Sequence, residues 1–492
     1  MICKTTVKSL ALLAFVFVLT IFMYSLANAD SMLETGAIIN SKMKSLAAGT
    51  ETEYRARTSD IKAIRIADSL PTDFVPSEAN TVSTADSDNP IYIFFDNEND
   101  AGIIYFYTEG KSIKMNPDSG YMFANNAALA DISGLADWDS SKVISLNGMF
   151  VNNSSLADIS PLANWDTHNV AMLVLTFKNT SSLKDISALA DWNTSNVTDM
   201  YGLFSGTSSL TDALALRYWD TSNVTDMSMM FSGATSLEII DVSHWNTSKV
   251  TMMICMFQVG DNWTGNGQLR EIVGLGNWDV SNVTDMTCMF YGAGEMTYYD
   301  VANWDVSKVE SMNHMFCDNF NLRILDLSGW DVSSVKTMYC MFDDNKKLKS
   351  IGDVSHWNTA SLIDVGGWLN DATSFIGDNY GKMDLSGWNT DNLKTAAEMF
   401  RATNLHEIDL SGWTFISITN DSWDGAGNGI YYETGNISAA CKGLGEMFKD
   451  TPQLTKVWIS KSGLDSYNAA LENEVSTLDM WTGSKTSGFT VK

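Results

Sequence analysis

Tryptophan returns along the middle of this chain at an interval that excludes most globular folds. It stands at Trp138, Trp165, Trp192, Trp219, Trp245, Trp278, Trp304, Trp330, Trp357, Trp388 and Trp413, mostly 26 or 27 residues apart. Asp or Asn follows each of the first ten, Ser commonly stands third after the indole, and an apolar residue stands fifth. The clearest copies read WDTSNVTDMSMMF (219–231), WDVSNVTDMTCMF (278–290) and WDVSSVKTMYCMF (330–342). Ahead of each indole runs a second apolar series, such as Leu237, Ile240 and Val242 before Trp245. Self-similarity over some 300 residues means that each copy is one supersecondary unit, unable to bury its apolar face alone.

The two halves of the unit carry different periods. Val224, Met227, Met230 and Phe231 are spaced as one face of a short helix. Ser222 is placed to cap that helix and Gly233 to stop it. Leu325, Asp326, Leu327 and Ser328 alternate as a very short strand. The expected architecture is therefore an α/β repeat solenoid, a leucine-rich-repeat-like right-handed coil of short parallel strands and short helices. It would have about 11 repeats of 25–27 residues over 121–420 and caps at both ends. With strands ~4.8 Å apart, such a stack is a rod or shallow arc roughly 50 Å long. The indoles and the closing phenylalanines (Phe150, Phe204, Phe231, Phe257, Phe290, Phe316, Phe342 and Phe400) would form its internal ladder.

The unit W-[DN]-[TV]-S-[NKS]-V-x-x-M-x-x-M-F, with L-x-x-[IL]-x-[LV] between copies, resembles the BspA-like leucine-rich-repeat surface proteins. It looks most like their bacterial subgroup once labelled a mycoplasma lipoprotein-associated repeat of unknown function. The lead-in at 104–123 is similar too. The resemblance implies export, a solenoid and a role in surface attachment or partner contact, and it implies no catalytic residues. Three copies depart from the pattern: Leu369 replaces the final Phe, Thr176 a Met, and Thr414-Phe415-Ile416 the residues after Trp413. The expectation is a looser third copy, a disturbed stretch around 360–380 and an array ending near 420.

Lys4 and Lys8 precede an apolar stretch, Leu10 to Met23, and Ala27-Asn28-Ala29 follows with small residues at the cleavage positions. This order reads as a signal peptide over 1–29, too short in its apolar part for the ~20 residues that span a bilayer. The protein is expected to be secreted, or cell-surface associated, with no transmembrane segment after removal of the signal. Residues 30–90 read as a polar segment and linker with a helix over 32–48, and 91–120 as a β-hairpin cap. The Gly- and Asn-rich stretch 421–442 reads as a loop, and 443–492 as a last coil and C-terminal cap. Insertions near 260–267 and 371–381 account for the two longest intervals.

With 59 Asp plus Glu against 31 Lys plus Arg, the net charge is −28. Nucleic acid and anionic lipid are poor partners for such a chain. Cys255, Cys288 and Cys340 share the tenth position after their indoles, and no zinc-type spacing exists. Side by side on neighbouring helices they would be ~8–10 Å apart, beyond disulfide reach, and only a Cys317–Cys340 pairing stays open. The single His residues, His168, His244, His314, His356 and His406, are too scattered to share a metal. The acids after the indoles are equivalent to one another and read as turn residues bonding their own backbone. A calcium column there is the rival reading. No catalytic, cofactor or metal residues are expected, and no enzyme. The expected function is a non-enzymatic recognition or adhesion protein for protein or glycan partners on host or bacterial surfaces. The alternative is a structural, self-assembling surface protein, possibly calcium-assisted. The oligomeric state is not readable.

Overall fold

The computed structural model describes residues 31–50, 52–110, 112–260, 267–377, 381–417, 444, 446–466 and 490–491. The expected signal over 1–29, the expected loop over 421–442, Cys441, most of the 260–267 insertion, residues 378–380 of the 371–381 insertion and most of the expected C-terminal cap lie outside them. The chain divides into two compact units, 1–172 and 173–492, with the boundary inside the repeat array.

In the first unit, helix α1 (Gly36–Ala48) precedes a three-stranded sheet of β1 (Ala63–Ile66), β2 (Ile91–Asp96) and β3 (Ile103–Thr108). The order is β1-β3-β2, with β2 and β3 an antiparallel hairpin and β1 parallel to β3. The expected linker therefore contains a paired strand. Helix α1 lies so close to residues 119–120 that a Cβ on Gly36 would meet the Gly120 carbonyl oxygen at 2.3 Å. Buried Asn40 secures this contact by donating to the carbonyls of Tyr121 (2.7 Å) and Ala124 (3.0 Å). Strand β1 then hands its pairing to the first repeat: Ile64 N–H donates to the Asp131 carbonyl, and Arg65 pairs with Asp131 at 2.8 Å. A coil lacking the indole, 112–125, stacks on the first repeat through Ser119, Tyr121 and Phe123, which donate to Ser145, Asn147 and Met149.

The second unit shows why the helical spacing does not produce a helix. Met227, Met229, Phe231 and Gly233 donate their backbone N–H groups to Met252, Ile254, Met256 and Gln258 of the next coil, at 2.7–3.1 Å. Of the residues alternating with them, Met230, Ser232 and Ala234 donate three residues back along their own coil and Ser228 to Asp226 Oδ1. Alternate donors thus serve the ladder and the local turns, and none of these is left unpaired. The same alternation recurs from Cys255 to Thr287, Cys288 to Asn313, His314 to Tyr339 and Cys340 to Gly366. It requires a left-handed residue in each coil. The tenth residue after the indole has φ between 51° and 61° in Leu175, Gly202, Met229, Cys255, Cys288, His314, Cys340, Gly367 and Glu398. A second stands four residues on, as in Asn179, Gly206, Gly233, Gly292, Asp318 and Asp344.

The short helices expected in each repeat are therefore corrected to a pair of linked tight turns. A right-handed helix cannot pass through these residues, and each non-glycine among them costs ~1–2 kcal/mol. Inter-coil hydrogen bonds at ~0.5–1.5 kcal/mol apiece, together with burial of Val224, Met227, Met230 and Phe231, offset that cost. Ser222 caps nothing; its own N–H donates to Asp220 Oδ1 at 2.9 Å.

The strands need correction too. Among the described residues regular strands are few: β4 (Ile239–Asp241) pairs with β5 (Glu271–Val273), and β6 (Lys382–Asp384), β7 (Glu407–Asp409), β8 (Lys456–Ile459) and β9 (Thr490–Val491) form a parallel set. In four earlier copies a 3-10 turn takes the strand's place: Ser133–Leu135 and Ser160–Leu162 in the first unit, Ser187–Leu189 and Leu214–Leu216 in the second. Their apolar residues run at intervals of three up to the indole (Leu183, Ile186, Leu189, Trp192), whereas Leu237, Ile240 and Val242 close the last step to two. The extra residue is accommodated by tightening the chain into a turn.

All eleven indoles are buried, none more than 5% exposed, and so are the eight closing phenylalanines. In the second unit the rings stack in two ladders. Phe231, Phe257 and Phe290 follow at 5.8 Å with planes 2° apart, while Trp245, Trp278 and Trp304 follow at 6.3 Å. Indole N–H groups donate to the coil before, Trp219 to Leu189, Trp245 to Leu216 and Trp330 to Val301, each at 2.9 Å. At the copy lacking the final Phe, Trp368 fills the space, its ring edge-on to Phe342 (5.8 Å) and Trp388 (5.2 Å). The stretch expected to be disturbed keeps its ladder, Val365, Gly367 and Leu369 donating to Thr395, Ala397 and Met399. Thr176, in place of a Met, is buried and bonds the Leu173 carbonyl at 2.9 Å. Another coil follows Trp413, with Phe400 and Ala402 donating to Met447 and Lys449 and the Phe400 and Phe448 rings stacked at 5.7 Å.

Candidate recognition surface

The periodic residues build the scaffold and leave little chemistry on it. Trp138, Trp165, Trp192, Trp219, Trp245, Trp278, Trp304, Trp330, Trp357, Trp388 and Trp413 face inward, so none is offered to a partner. The acids after them close Asx turns: Asp279 and Asp331 each accept the N–H two residues on at 3.0 Å. Thr221 and Thr247, next in line, donate to the carbonyls of Asn246 and Asp279 in the following coil.

Cys255, Cys288, Cys317 and Cys340 are buried thiols. The helix spacing used to judge their separation does not apply, because positions ten after successive indoles are adjacent rungs of one ladder; Cys255 and Cys288 pack in one apolar cluster with Cys317. His314 lies edge-on to Tyr339 at 5.2 Å, and burial lowers it to about 4, so it is neutral at physiological pH. Among the described residues, no group of three or more His, Cys, Asp and Glu is arranged to hold a metal ion. No helix among them is long and apolar enough to cross a membrane.

In the second unit most of the exposed large apolar side chains, Leu214, Tyr218, Tyr298 and Ile324, lie ahead of the indoles. The turn Leu214–Leu216 turns Leu214 outward (46% exposed) and leads to Tyr218, which is 71% exposed. Arg217 lies over the Tyr218 ring at 5.2 Å, and His244, in the equivalent position of the next copy, meets that ring edge-on at 4.8 Å. Arg217 Nε reaches Asp241 Oδ2 at 3.0 Å, and Ser243 Oγ lies 3.0 Å from His244 Nδ1. Burial opposes ionisation of Asp241, but hydrogen bonds from Ser243 and the charges of Arg217 and His244 outweigh it and hold the carboxyl below its ordinary value. A fixed anion thus anchors a cation against an exposed aromatic face. Along the same turns runs a groove of about 460 Å³, lined by Lys184, Ser187, Ala190, Thr211, Asp212 and Leu214.

Aromatic face, aliphatic edge, cation and hydroxyls in one place suit a partner with both apolar and hydrogen-bonding groups. The repeat pattern does not encode this cluster. Its signal was the residue before the indole, which is Asp, Asn, Gly or His in the other ten copies and Tyr only before Trp219.

The repeats match the family model described as Mycoplasma protein of unknown function, DUF285, in four overlapping stretches, 117–188, 176–272, 264–383 and 352–423. No curated protein matches the sequence. A solved structure titled "Crystal structure of TLR13-ssRNA13 complex" is similar at 10% identity and a TM-score of 0.18, over 61% of this chain and 57% of that one. The match spans little more than half of that protein, and a likeness so slight supports no inference about shape or partner. The family matches, end to end, span well over half of the sequence, and the chain belongs to this DUF285 repeat family.

Proposed function

We propose that this chain is an exported, non-enzymatic recognition protein of BspA-like type, in which a leucine-rich-repeat-like coil, capped at both ends, holds an extended surface toward protein or glycan partners on host or bacterial surfaces. The observation that carries the reading is the Arg217–Tyr218–His244 cluster. A tyrosine 71% exposed, fixed by a cation and an imidazole beside a groove, does nothing for the core and is organised for contact. The signal-like order of residues 1–29 supports export. The net charge of −28 favours partners other than nucleic acid.

The test is a glycan array and a pull-down against host matrix, mucin and bacterial surface preparations, using the mature chain and Tyr218→Ala. The reading expects at least one partner whose binding falls ten-fold or more in the variant while thermal unfolding is unchanged. Absence of any partner, or a partner indifferent to Tyr218, refutes it.

A further inference from the structure

With a ladder in place of helices, Cys255 and Cys288 come within covalent reach of each other. Cys255 N–H donates to the Thr287 carbonyl at 2.8 Å, which sets Cys255 opposite Cys288 on adjacent rungs. Both are left-handed, with φ 54° and 55°. Both belong to one buried apolar cluster, Cys255 fully enclosed and Cys288 4% exposed. Adjacent rungs stand ~4.8 Å apart, inside the 4.4–6.8 Å that Cα atoms span across a disulfide.

The reach of the side chains can be read where the same column carries a glycine. Cys340 N–H donates to the Gly366 carbonyl at 2.9 Å, so Gly367 stands opposite Cys340, with φ 61° against 51°. A Cβ on Gly367 would lie 3.8 Å from the Cys340 Cβ and 2.6 Å from its Sγ. The separation of ~3.8 Å is the mean across a disulfide, and the earlier residue aims its sulfur at the later one. Cys255 and Cys288 share that hydrogen bond and that backbone state. Met229 and His314 flank them at the tenth position, so among the described residues this is the one rung where two thiols meet.

We propose that Cys255 and Cys288 are an oxidisable pair that closes into a disulfide between adjacent coils, a staple across the copy carrying the insertion near 260–267. Both are thiols in the structure, so closure takes an oxidant, for which a small-molecule disulfide such as oxidised glutathione is the class. Cys288, the less buried, gives up its proton, and its sulfur attacks one sulfur of that disulfide and releases a small thiolate. Cys255, deprotonated in turn, attacks the Cys288 sulfur of the mixed disulfide and releases the second. Two protein thiols are oxidised, one small disulfide is reduced to two thiols, and the two protons pass to the departing thiolates. Cys317 packs in the same cluster but stands at the thirteenth position, off this rung. Burial first, then the charges of Asp343 and Asp318, push its thiol up, so it offers little thiolate for exchange. The bond closes a ring over the 33 residues from one cysteine to the other, which restricts the unfolded chain and stabilises the folded one. An exported chain would meet such oxidants, but the geometry and its test do not depend on export.

The experiment is incubation of the reduced, folded full chain with excess oxidised glutathione at mildly alkaline pH, then tryptic mapping without reductant and thermal unfolding. Expected are a cross-link between peptides 250–270 and 271–308, with Cys317 and Cys340 still open to alkylation. The unfolding midpoint should rise by ~5 °C or more. Cys255→Ser and Cys288→Ser should each lose the cross-link and the rise, whereas Cys317→Ser keeps both. Glutathione adducts at Cys255 or Cys288 without the cross-link, or a cross-link to peptide 309–323 in its place, overturn the proposal. So does a midpoint that is unchanged or lower after oxidation. The cross-link is read on the parent chain, so a variant that fails to fold leaves the result decisive.

Discussion

Removing one ring from the phenylalanine ladder should break the stack locally. Phe257 is fully buried between Phe231 and Phe290, 5.8 Å from each, with Trp278 at 6.1 Å. Truncation to Ala costs ~3–5 kcal/mol for lost burial and the cavity left behind. The two stacked pairs add ~0.5–1.5 kcal/mol each, for a total of ~4–8 kcal/mol. That rivals the whole stability of an ordinary domain. In a stack where each coil is held mainly by its neighbours, the loss should be confined rather than global. Native-state hydrogen exchange resolves the difference. In Phe257→Ala the ladder amides of Phe231, Gly233, Phe257 and Phe290 should lose several kcal/mol of protection, while that of Phe400 keeps its value. Equal loss at Phe231 and Phe400, or less than ~1 kcal/mol at either neighbour of residue 257, refutes the nearest-neighbour reasoning.

Other expectations follow from single contacts. Trp245→Phe keeps most of the ring but removes one of the two N–H groups that serve the Leu216 carbonyl, the Trp219 N–H remaining at 3.1 Å, so it should destabilise by ~0.5–1.5 kcal/mol in chemical denaturation. Stability should decline as pH rises from about 4 to 8. Asp318, Asp364 and Asp343 are raised to about 6, 7 and 8, chiefly by burial. The folded chain therefore holds protons that the unfolded chain, with carboxyls near ~4, has released. Their contribution is full below the unfolded value and is lost as pH passes the folded ones; a thermal midpoint rising over this window contradicts it. Thr221→Val removes the donor to the Asn246 carbonyl and should cost ~0.5–1.5 kcal/mol in the same denaturation assay.

The period, the buried stripes and the Asx turns were readable because each depends on residue type at a fixed place. Trp, Phe and Met must be inside, and Asp or Asn followed by Ser must close a turn. The local conformation was not. Val224, Met227, Met230 and Phe231 point inward at helical spacing, but Met229 among them is left-handed. A methionine or cysteine carries no mark of that state. The column did carry one: Gly148, Gly202 and Gly367 share the tenth position, and Gly, Asn and Asp crowd the fourteenth. Those residue types tolerate positive φ, and comparison down the column, rather than along one copy, reveals it. Tyr218 escaped for a different reason. Surface and edge residues are free of the register, and their neighbours come from adjacent copies some 26 residues away.

One substitution separates linked turns from a helix. Gly202 occupies the tenth position with φ 60°, and a Cβ there would also press on the Leu175 side chain, 2.6 Å away. Measured by equilibrium unfolding, Gly202→Ala should destabilise the protein by ~1–2 kcal/mol. Stabilisation by ~1 kcal/mol, the gain expected for alanine over glycine inside a helix, would contradict the ladder of left-handed turns.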